Sequence, residues 1–589
     1  MSVAARKLYW ITAAVFLMIV FLSYHKSTAP SSPPDSRTAH NDINKSQNYD
    51  DNDGDYTSGD GDNLYTGDNK DVKPPAGNKP ADGSNYPTSP PPTTAGTNTQ
   101  PNTSGKYDTL VVIPSSWTQM QNRQWVRETV FGIRDNLEPC KKDDGNIIYK
   151  FYIYGRSTWG KSTIHSSEYN QALVRDLYGE FMEFNDNYFT NATVPATEKH
   201  AIWGDALDWA VNTYIPTNKI QVNKVLIFDS TAIVNLPKME EAVKASASPN
   251  GYLHIWGSDS TPFAAMISFN AAEQILEHRE ELKVDHPTKD IVSAASTFYA
   301  EKPATFKITR ATGQLWASNV ELVAADTAVV GQVYQLEDWR RISEKLTIKP
   351  TPACAVDQNR KKNVALLTSS YIYVDMCMAE ASLPSAENKR IYADKHGYDF
   401  VARAAEFAQE EHRGRRLVWG KIGAIQKVLP HYEWLFWMDM DAIVADLDKD
   451  VREIIDFAEK ANVAKGIKEE VSLIVARPKR DKMLNAGVML IKNTEWSRAF
   501  FAEVQTRAPW YLKSSYEQAA IWEVMNEPKW SSGVYIYDGD DHTMNTFPKL
   551  YEKGNFVIHF APAGCPSVPV LAALAKIKAG ESAYGIGTE

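Results

Sequence analysis

Two aspartates, Asp439 and Asp441, stand where an apolar run, Trp434 to Met438, stops abruptly. Alternate side chains of an extended chain point the same way, so an Asp-x-Asp pair can aim both carboxylates at one point past a strand's end. In open α/β sheets, ligands sit beyond the carboxyl ends of the strands. Two hard oxygen donors converging there suit Mg²⁺ or Mn²⁺, which can also hold the two phosphates of a nucleotide. Such an ion neutralises charge building on a leaving diphosphate, the difficult part of moving a sugar from a nucleotide donor. Asp-x-Asp pairs are common by chance, and a plain acidic strand end is the competing reading. The pair's weight comes from its place after a buried strand.

Those carboxylates need a strand to carry them and other strands to bury it. Apolar runs such as NVALLTSS at 363–370, WLFWM at 434–438 and GVMLIKN at 487–493 alternate with helical patterns. That alternation predicts an α/β domain with a largely parallel sheet. An earlier block reads the same way, from DTLVVIP at 108–114 through IYKFYIYG and KVLIFDS. Two α/β domains are therefore expected, at 107–350 and 360–589, joined by the polar, proline-bearing KPTPACAVDQNRKK. We find no short-period repeat.

Ahead of both lies a different kind of sequence. Residues 1–7 form a short basic tail, and Leu8 to Tyr24 is an uncharged apolar run. Crossing a bilayer takes roughly 20 residues, about 17 at the short end. The run is long for a signal core and no small-x-small cleavage site follows closely, so a transmembrane anchor is expected rather than a cleaved signal peptide. Residues 25–106 are rich in Asp, Asn, Ser, Thr, Gly and Pro, with almost no aliphatic side chains, and read as a disordered stem. The stem's Asp-rich part lacks the closing Glu of an EF-hand loop.

Composition narrows the classes further. A net charge of −10 argues against a nucleic-acid partner. The cysteines Cys140, Cys354, Cys377 and Cys565 are too few and scattered for a disulfide scaffold or zinc knuckle. One or two bridges fit an oxidising lumen, and sequence alone does not pair them. Neither HExxH nor Gly-x-Ser-x-Gly is present to support a hydrolase.

The order of blocks in the C-terminal half carries more. ENKRIYADKHGY precedes GRRLVWGKIGAIQKVLPHYEWLFWMDMDAIV, then LNAGVMLIKNTEWS, YEQAAIW and NFVIHFAPAGC. Together these resemble the retaining glycosyltransferase family 34, which includes fungal galactosyl- and mannosyltransferases and plant xylosyltransferases. The resemblance covers roughly Asn363 to Cys565. It implies a GT-A (Rossmann-like) fold, a nucleotide-sugar donor (a UDP-sugar or GDP-mannose), Mn²⁺ or Mg²⁺, and retention of anomeric configuration.

Residue by residue, the resemblance makes Asp439 and Asp441 the metal-and-diphosphate motif and His559 the third metal ligand. Without it, a lone His after Val557-Ile558 is an ordinary structural residue. Asn485 and Gly487 match an Asn-x-Gly block, where a bare backbone can approach a sugar and an amide can meet hydroxyls; a plain turn is the alternative. Glu517 and Gln518 match an acidic-Gln pair near the reacting carbon or acceptor. Glu517 would stabilise an oxocarbenium-like species or grip an acceptor hydroxyl, against the alternative of a helix-surface carboxylate. Lys421 is a donor-phosphate candidate, or else a solvated helix residue. HFAPAGC carries two residues more than the family's His-Phe-x-Gly-Cys, and the resemblance makes Gly564 of this loop a donor-phosphate contact. Double displacement and a front-face mechanism both stay open.

Residues 108–300 resemble, more faintly, the β-1,3-galactosyltransferase-like family 31. The carriers are Arg123, Arg-Glu-Thr at 127–129, FYIYG, EFMEFNDNYFTNAT and EKHAIWGDALDWA. Where that family has three aspartates after a strand, KVLIFDSTAIVN keeps only Asp229, with Ser230 and Thr231 in the other places; of a later Glu-Asp-Val only Asp290 survives. Hydroxyls are poorer ligands for a hard cation, so a degenerate domain used for acceptor recognition, stability or assembly is expected. The alternative is a second active site of altered mechanism. Sequons begin at Asn44, Asn102 and Asn191.

The expected whole is a type II Golgi-membrane glycosyltransferase. It would move a hexose or pentose, galactose or mannose foremost, to a glycan acceptor, with a transferase complex as a further partner. The competing class is an inactive, membrane-anchored carbohydrate-binding or scaffold protein.

Overall fold

Continuous apolar runs form the central strands here because both faces of those strands are buried, the usual situation of parallel strands. In the N-terminal half the strands are β1 (Lys106–Ser116), β2 (Ile147–Tyr154), β3 (Asn187–Phe189), β4 (Gln221–Phe228), β5 (Ile233–Val234), β6 (Tyr252–Gly257), β7 (Pro262–Ser268), β8 (Lys307–Thr312), β9 (Gln314–Leu315) and β10 (Val329–Gly331). The C-terminal half has β11 (Val364–Ser369), β12 (Asp399–Arg403), β13 (Trp434–Met438), β14 (Ala442–Val444), β15 (Leu473–Pro478), β16 (Asn485–Lys492), β17 (Val534–Gly539) and β18 (Val557–His559). The computed structural model describes residues 105–583, apart from 140–145, 155–167, 191–198, 247, 249, 258–260, 302–305, 317–318, 354–362, 480 and 562–563. The expected anchor, nearly all of the stem and all three sequons lie outside the described residues. Among the described residues no helix is long and apolar enough to cross a membrane.

The strands make a seven-stranded sheet, order β3-β2-β1-β4-β7-β6-β8, and a six-stranded sheet, order β12-β11-β13-β16-β15-β17. Both are largely parallel. The reversed strand is β7 in the first and β16 in the second, each inserted between strands that run the other way. The α/β class and largely parallel sheets read from sequence are therefore present.

Five helices bear on the site: α1 (Met120–Val130), α2 (Glu168–Phe184), α3 (Ala379–His396), α4 (Gly420–Val428) and α5 (Tyr516–Met525). One apolar cluster runs without a break from Val111 and Phe151 in the first sheet to Leu366 and Phe436 in the second. Polar contacts also cross the junction. Ser370 Oγ donates to Glu183 at 2.7 Å, Arg390 donates to the Met182 carbonyl at 2.6 Å, and Arg403 pairs with Asp135. Cys377 and Cys565 form a disulfide, Cα–Cα 5.6 Å, joining the approach to α3 with the chain after β18.

Candidate active site

Strand β13 delivers the Asp-x-Asp pair to the carboxyl end of the second sheet, as its buried Trp-Leu-Phe-Trp-Met run predicts. A short antiparallel ladder, Ala442 with His559 and Ile443 with Ile558, returns the chain beside it. Ligand atoms of Asp439, Asp441 and His559 all lie within 4.8 Å of one another. The imidazole Nε2 is 3.3 Å from Asp441 Oδ1 and 4.0 Å from Asp439 Oδ2. That nitrogen is buried and makes no hydrogen bond, while the carboxylates stay 27% and 24% exposed. A buried polar atom left unpaired beside two carboxylates is costly unless a ligand completes it. One imidazole and two carboxylates form a donor set that suits Mn²⁺.

The tautomer of His559 is fixed from behind. Asn485 Oδ1 accepts from the Gly487 N–H at 3.0 Å, from Asn545 Nδ2 at 3.1 Å, and meets His559 Nδ1 at 2.9 Å. A backbone N–H can only donate, so this Asn485 atom is the amide oxygen and Nδ1 must carry the proton. In the neutral ring Nε2 then presents its lone pair to the gap between the carboxylates, the tautomer a metal-binding histidine needs. Gly487 serves the same end, since a Cβ there would come within 2.0 Å of His559 Cε1. The Asn-x-Gly block read from sequence as a sugar contact thus turns its amide and its bare backbone toward the histidine.

Burial disfavours the charged imidazole, but the Asp441 and Asp439 carboxylates outweigh it and hold the His559 pKa above the ordinary histidine value. Burial also works against the Asp441 carboxylate, and the nearby imidazole reverses this, leaving its pKa below the ordinary one.

Asp439 is clamped on its other side. Trp437 Nε1 donates to Oδ1 at 2.8 Å, and Lys421 Nζ lies 3.1 Å from the same oxygen. Lys421, on α4, also reaches the Ala486 carbonyl at 3.2 Å and Glu517 Oε1 at 2.8 Å. It is a buried, fully engaged cation, not the solvated helix residue that was the alternative. Burial opposes its charge, yet Asp439 and Glu517 hold its pKa well above the ordinary lysine value. Glu517, on α5, is likewise buried and turned onto Lys421. Gln518 accepts the Ala486 N–H at 2.9 Å and so pins the start of β16. Gly564 is exposed beside Cys565, and no described contact joins it to Asp439, Asp441 or His559.

Helix α3 carries Asn388 and Lys389 of the ENKRIYADKHGY block, and Ser385 just before it, none of them assigned a role by sequence. Asn388 pairs with both the N–H and the carbonyl of Val444, at 2.8 and 3.0 Å. Ser385 donates to the Met440 carbonyl at 2.6 Å, and Lys389 donates to Ser385 at 2.7 Å and reaches that carbonyl at 3.4 Å. Burial pulls the Lys389 ammonium down to about 7 against the pull of Asp441 and Asp439. Ser385 and Lys389 hold the Asp439–Asp441 turn from beneath, and Asn388 holds the end of β14 that follows it. Their spacing on one helical face was the available signal.

A cavity of about 330 Å³ opens beyond the carboxyl ends of β11 and β12. Its lining includes Ser370, Tyr371 and Ala404 from the C-terminal half and Gln121, Arg175 and Gly179 from the N-terminal half. The Arg175 guanidinium lies 5.2 Å from the Tyr371 ring centre.

Residues 360–568 match the model of the galactosyl transferase GMA12/MNN10 family, in agreement with the blocks noted above. The chain is 25% identical over 158 residues to a probable α-1,6-mannosyltransferase, MNN10, of Saccharomyces cerevisiae, covering 24% of this chain and 39% of that one. An α-1,2-galactosyltransferase of Schizosaccharomyces pombe is 26% identical over 216 residues, 30% of this chain and 55% of its own. A putative glycosyltransferase 7 of Arabidopsis thaliana is 26% identical over 177 residues, 29% and 37% of the two chains. This chain therefore spans about half, or less, of the length of the curated relatives it matches. Among solved structures, a glycosyltransferase involved in glycosylation of the major capsid of PBCV-1 aligns with 36% of this chain and 99% of its own, at TM-score 0.27 and 17% identity.

Proposed function

We propose that the region resembling the galactosyl transferase GMA12/MNN10 family is a retaining, metal-dependent glycosyltransferase. It moves a hexose or pentose, galactose or mannose foremost, from a nucleotide sugar to a glycan acceptor. The observation that carries this reading is the convergence of Asp439, Asp441 and the unpaired Nε2 of His559 at a strand's carboxyl end, inside the matched region. These three residues would hold Mn²⁺ or Mg²⁺, and the ion when bound neutralises charge that builds on the leaving diphosphate.

The remaining residues work through position. Asn485 keeps the His559 lone pair aimed at the gap. Trp437 and Lys421 orient Asp439, and Glu517 holds Lys421 in place, so Glu517 acts through that lysine rather than at the reacting carbon. The cavity beyond β11 and β12 is the natural place for the nucleoside end of the donor, since ligands of such sheets lie past the carboxyl ends of strands. We read the chain as a type II protein of the Golgi membrane, anchored by residues 8–24 and associated with other transferases. The Cys377–Cys565 bridge accords with an oxidising lumen.

The test is turnover of UDP- and GDP-sugars by the purified full chain, with Mn²⁺ and with chelator. One donor consumed only with metal, and spared by Asp441→Asn, is the expected result. Turnover that survives Asp441→Asn or chelation would overturn the assignment.

A further inference from the structure

The two large sheets have the same topology. The orders β2-β1-β4-β7-β6-β8 and β12-β11-β13-β16-β15-β17 both run parallel, parallel, antiparallel, antiparallel, parallel from pair to pair, with β3 an added edge in the first. A short antiparallel pair follows the corresponding strand in each half, β5 with β10 and β14 with β18. The intervening residues agree too. Asp229-Ser230-Thr231-Ala232-Ile233-Val234 follows β4 as Asp439-Met440-Asp441-Ala442-Ile443-Val444 follows β13.

Strand register then identifies the counterparts of the metal-site residues. Phe228 pairs with Ala264 and Met438 with Val488, so Phe263 corresponds to Gly487. Ile233 pairs with Val330 and Ile443 with Ile558, so Gly331 corresponds to His559. A glycine and a ring have changed places between the same two strands. In the C-terminal half the His559 ring fills the space over bare Gly487. In the N-terminal half the Phe263 ring fills the space over bare Gly331, where a Cβ would fall 2.4 Å from the ring. Thr231 stands in for Asp441, and both its N–H, at 2.8 Å, and its hydroxyl, at 2.7 Å, donate to Asp229 Oδ1. A buried phenyl ring has no lone pair to offer, so one of three ligands is gone, a second is a hydroxyl, and the gap itself is filled.

The N-terminal half meets the other half at that half's own ligand-facing edge. Gly179 on α2 backs onto the Ser370 carbonyl, with room for a Cβ only at 3.1 Å, and Glu183 accepts from Ser370. Arg175, one turn before Gly179, reaches over Tyr371 at the cavity wall.

We infer that the two halves are copies of one fold, and that the N-terminal copy holds no metal but completes the wall of the cavity beyond β11 and β12, with Arg175 contacting the nucleotide. The wall role rests on the proposed function; the sealing of the N-terminal copy rests on register and packing alone.

Mn²⁺ binding to the purified full chain, followed by the paramagnetic signal of free Mn²⁺, tests the first part. A single Mn²⁺ is expected for wild type and for Asp229→Asn, and none for Asp441→Asn. Retention of Mn²⁺ by Asp441→Asn and its loss from Asp229→Asn would overturn the inference. Failure of wild type to bind Mn²⁺ would agree with a sealed N-terminal copy and would instead sink the metal role of the C-terminal centre.

Calorimetry with UDP and GDP tests the second part. For whichever nucleotide binds, Arg175→Ala should weaken affinity by roughly fivefold or more while leaving Mn²⁺ stoichiometry unchanged. An unchanged affinity, or binding of neither nucleotide to wild type, overturns the wall role.

Discussion

The turns that follow β4 and β13 begin with the same aspartate and end with the same Ala-Ile-Val, yet their polar groups are disposed in opposite ways. After β4 they satisfy one another. Asp229 accepts from Thr231, Ser230 bonds Ser115 and Gln119 at 3.0 and 3.1 Å, and Arg123 ties Ser115 to Glu180. After β13 the supporting bonds come from behind, through Trp437, Lys421, Ser385 and Asn485. The faces of Asp439, Asp441 and His559 converge on the gap from three sides. One fold therefore supports a closed turn and a candidate ligand site, and the difference lies in which polar atoms remain aimed at the gap.

The largest expected effects separate the two turns directly. Asp441→Asn should lower metal-dependent turnover by about 100-fold or more, because losing a carboxylate that would touch the ion costs more than the 10–100-fold typical of losing a residue that only orients such a ligand. Asp229→Asn should change turnover by less than about twofold. Equal losses in the two variants, measured as kcat/KM on the same donor, would erase the contrast.

The exchanged glycines give the next test. Gly487→Ala pushes against the His559 ring, so metal affinity should fall sharply. Gly331→Ala pushes against the Phe263 ring, so the loss should appear in stability. Phe263→Ala, which empties the same space, should cost about 3–5 kcal/mol in denaturant unfolding with Mn²⁺ affinity unchanged. Metal affinity that tracks Phe263 would mean the N-terminal gap takes part in binding after all.

A smaller effect is expected where support alone is removed. Asn485→Ala frees the His559 tautomer without touching the carboxylates, and should weaken Mn²⁺ binding by about 10–100-fold. Asn485→Asp should restore part of it, since a carboxylate still accepts from Nδ1. No rescue by Asp would mean that the residue shapes the loop only.

These contrasts were legible in the sequence to different depths. Buried strands read clearly because covering both faces leaves long apolar runs such as Trp434–Met438, and Asp-x-Asp at a run's end carries its own geometry. His559 was visible only through resemblance, because nothing local in Val557-Ile558-His559 marks a ligand. Its link to Asn485 spans 74 residues, and that of Lys421 to Glu517 is likewise long-range, so spacing could not reveal either. The duplication leaves little in sequence beyond Asp-x-x-Ala-Ile-Val, too short and too far apart to register as a repeat. The Phe263–Gly331 exchange needs the strand register before the two residues can be compared. Cys377 pairs with Cys565 for the same reason: only the fold brings the two loops together.

The smallest expected effect lies at the junction between the copies. Glu183 is partly buried against Ser370, and burial pushes its carboxyl up to about 7, with the Ser370 hydroxyl and Arg403 pulling the other way. The folded state thus binds this proton more tightly than the unfolded chain does. The resulting stability is full below the ordinary glutamate value and is lost as pH rises toward about 7. Urea midpoints of the full chain should therefore fall more between about pH 5 and about pH 8 for wild type than for Glu183→Gln, which stays neutral and still accepts from Ser370. The difference between the two curves isolates Glu183 from the carboxylates common to both. Parallel curves would mean that solvent reaches Glu183 freely, and that the two copies meet there less tightly than Gly179 and Ser370 suggest.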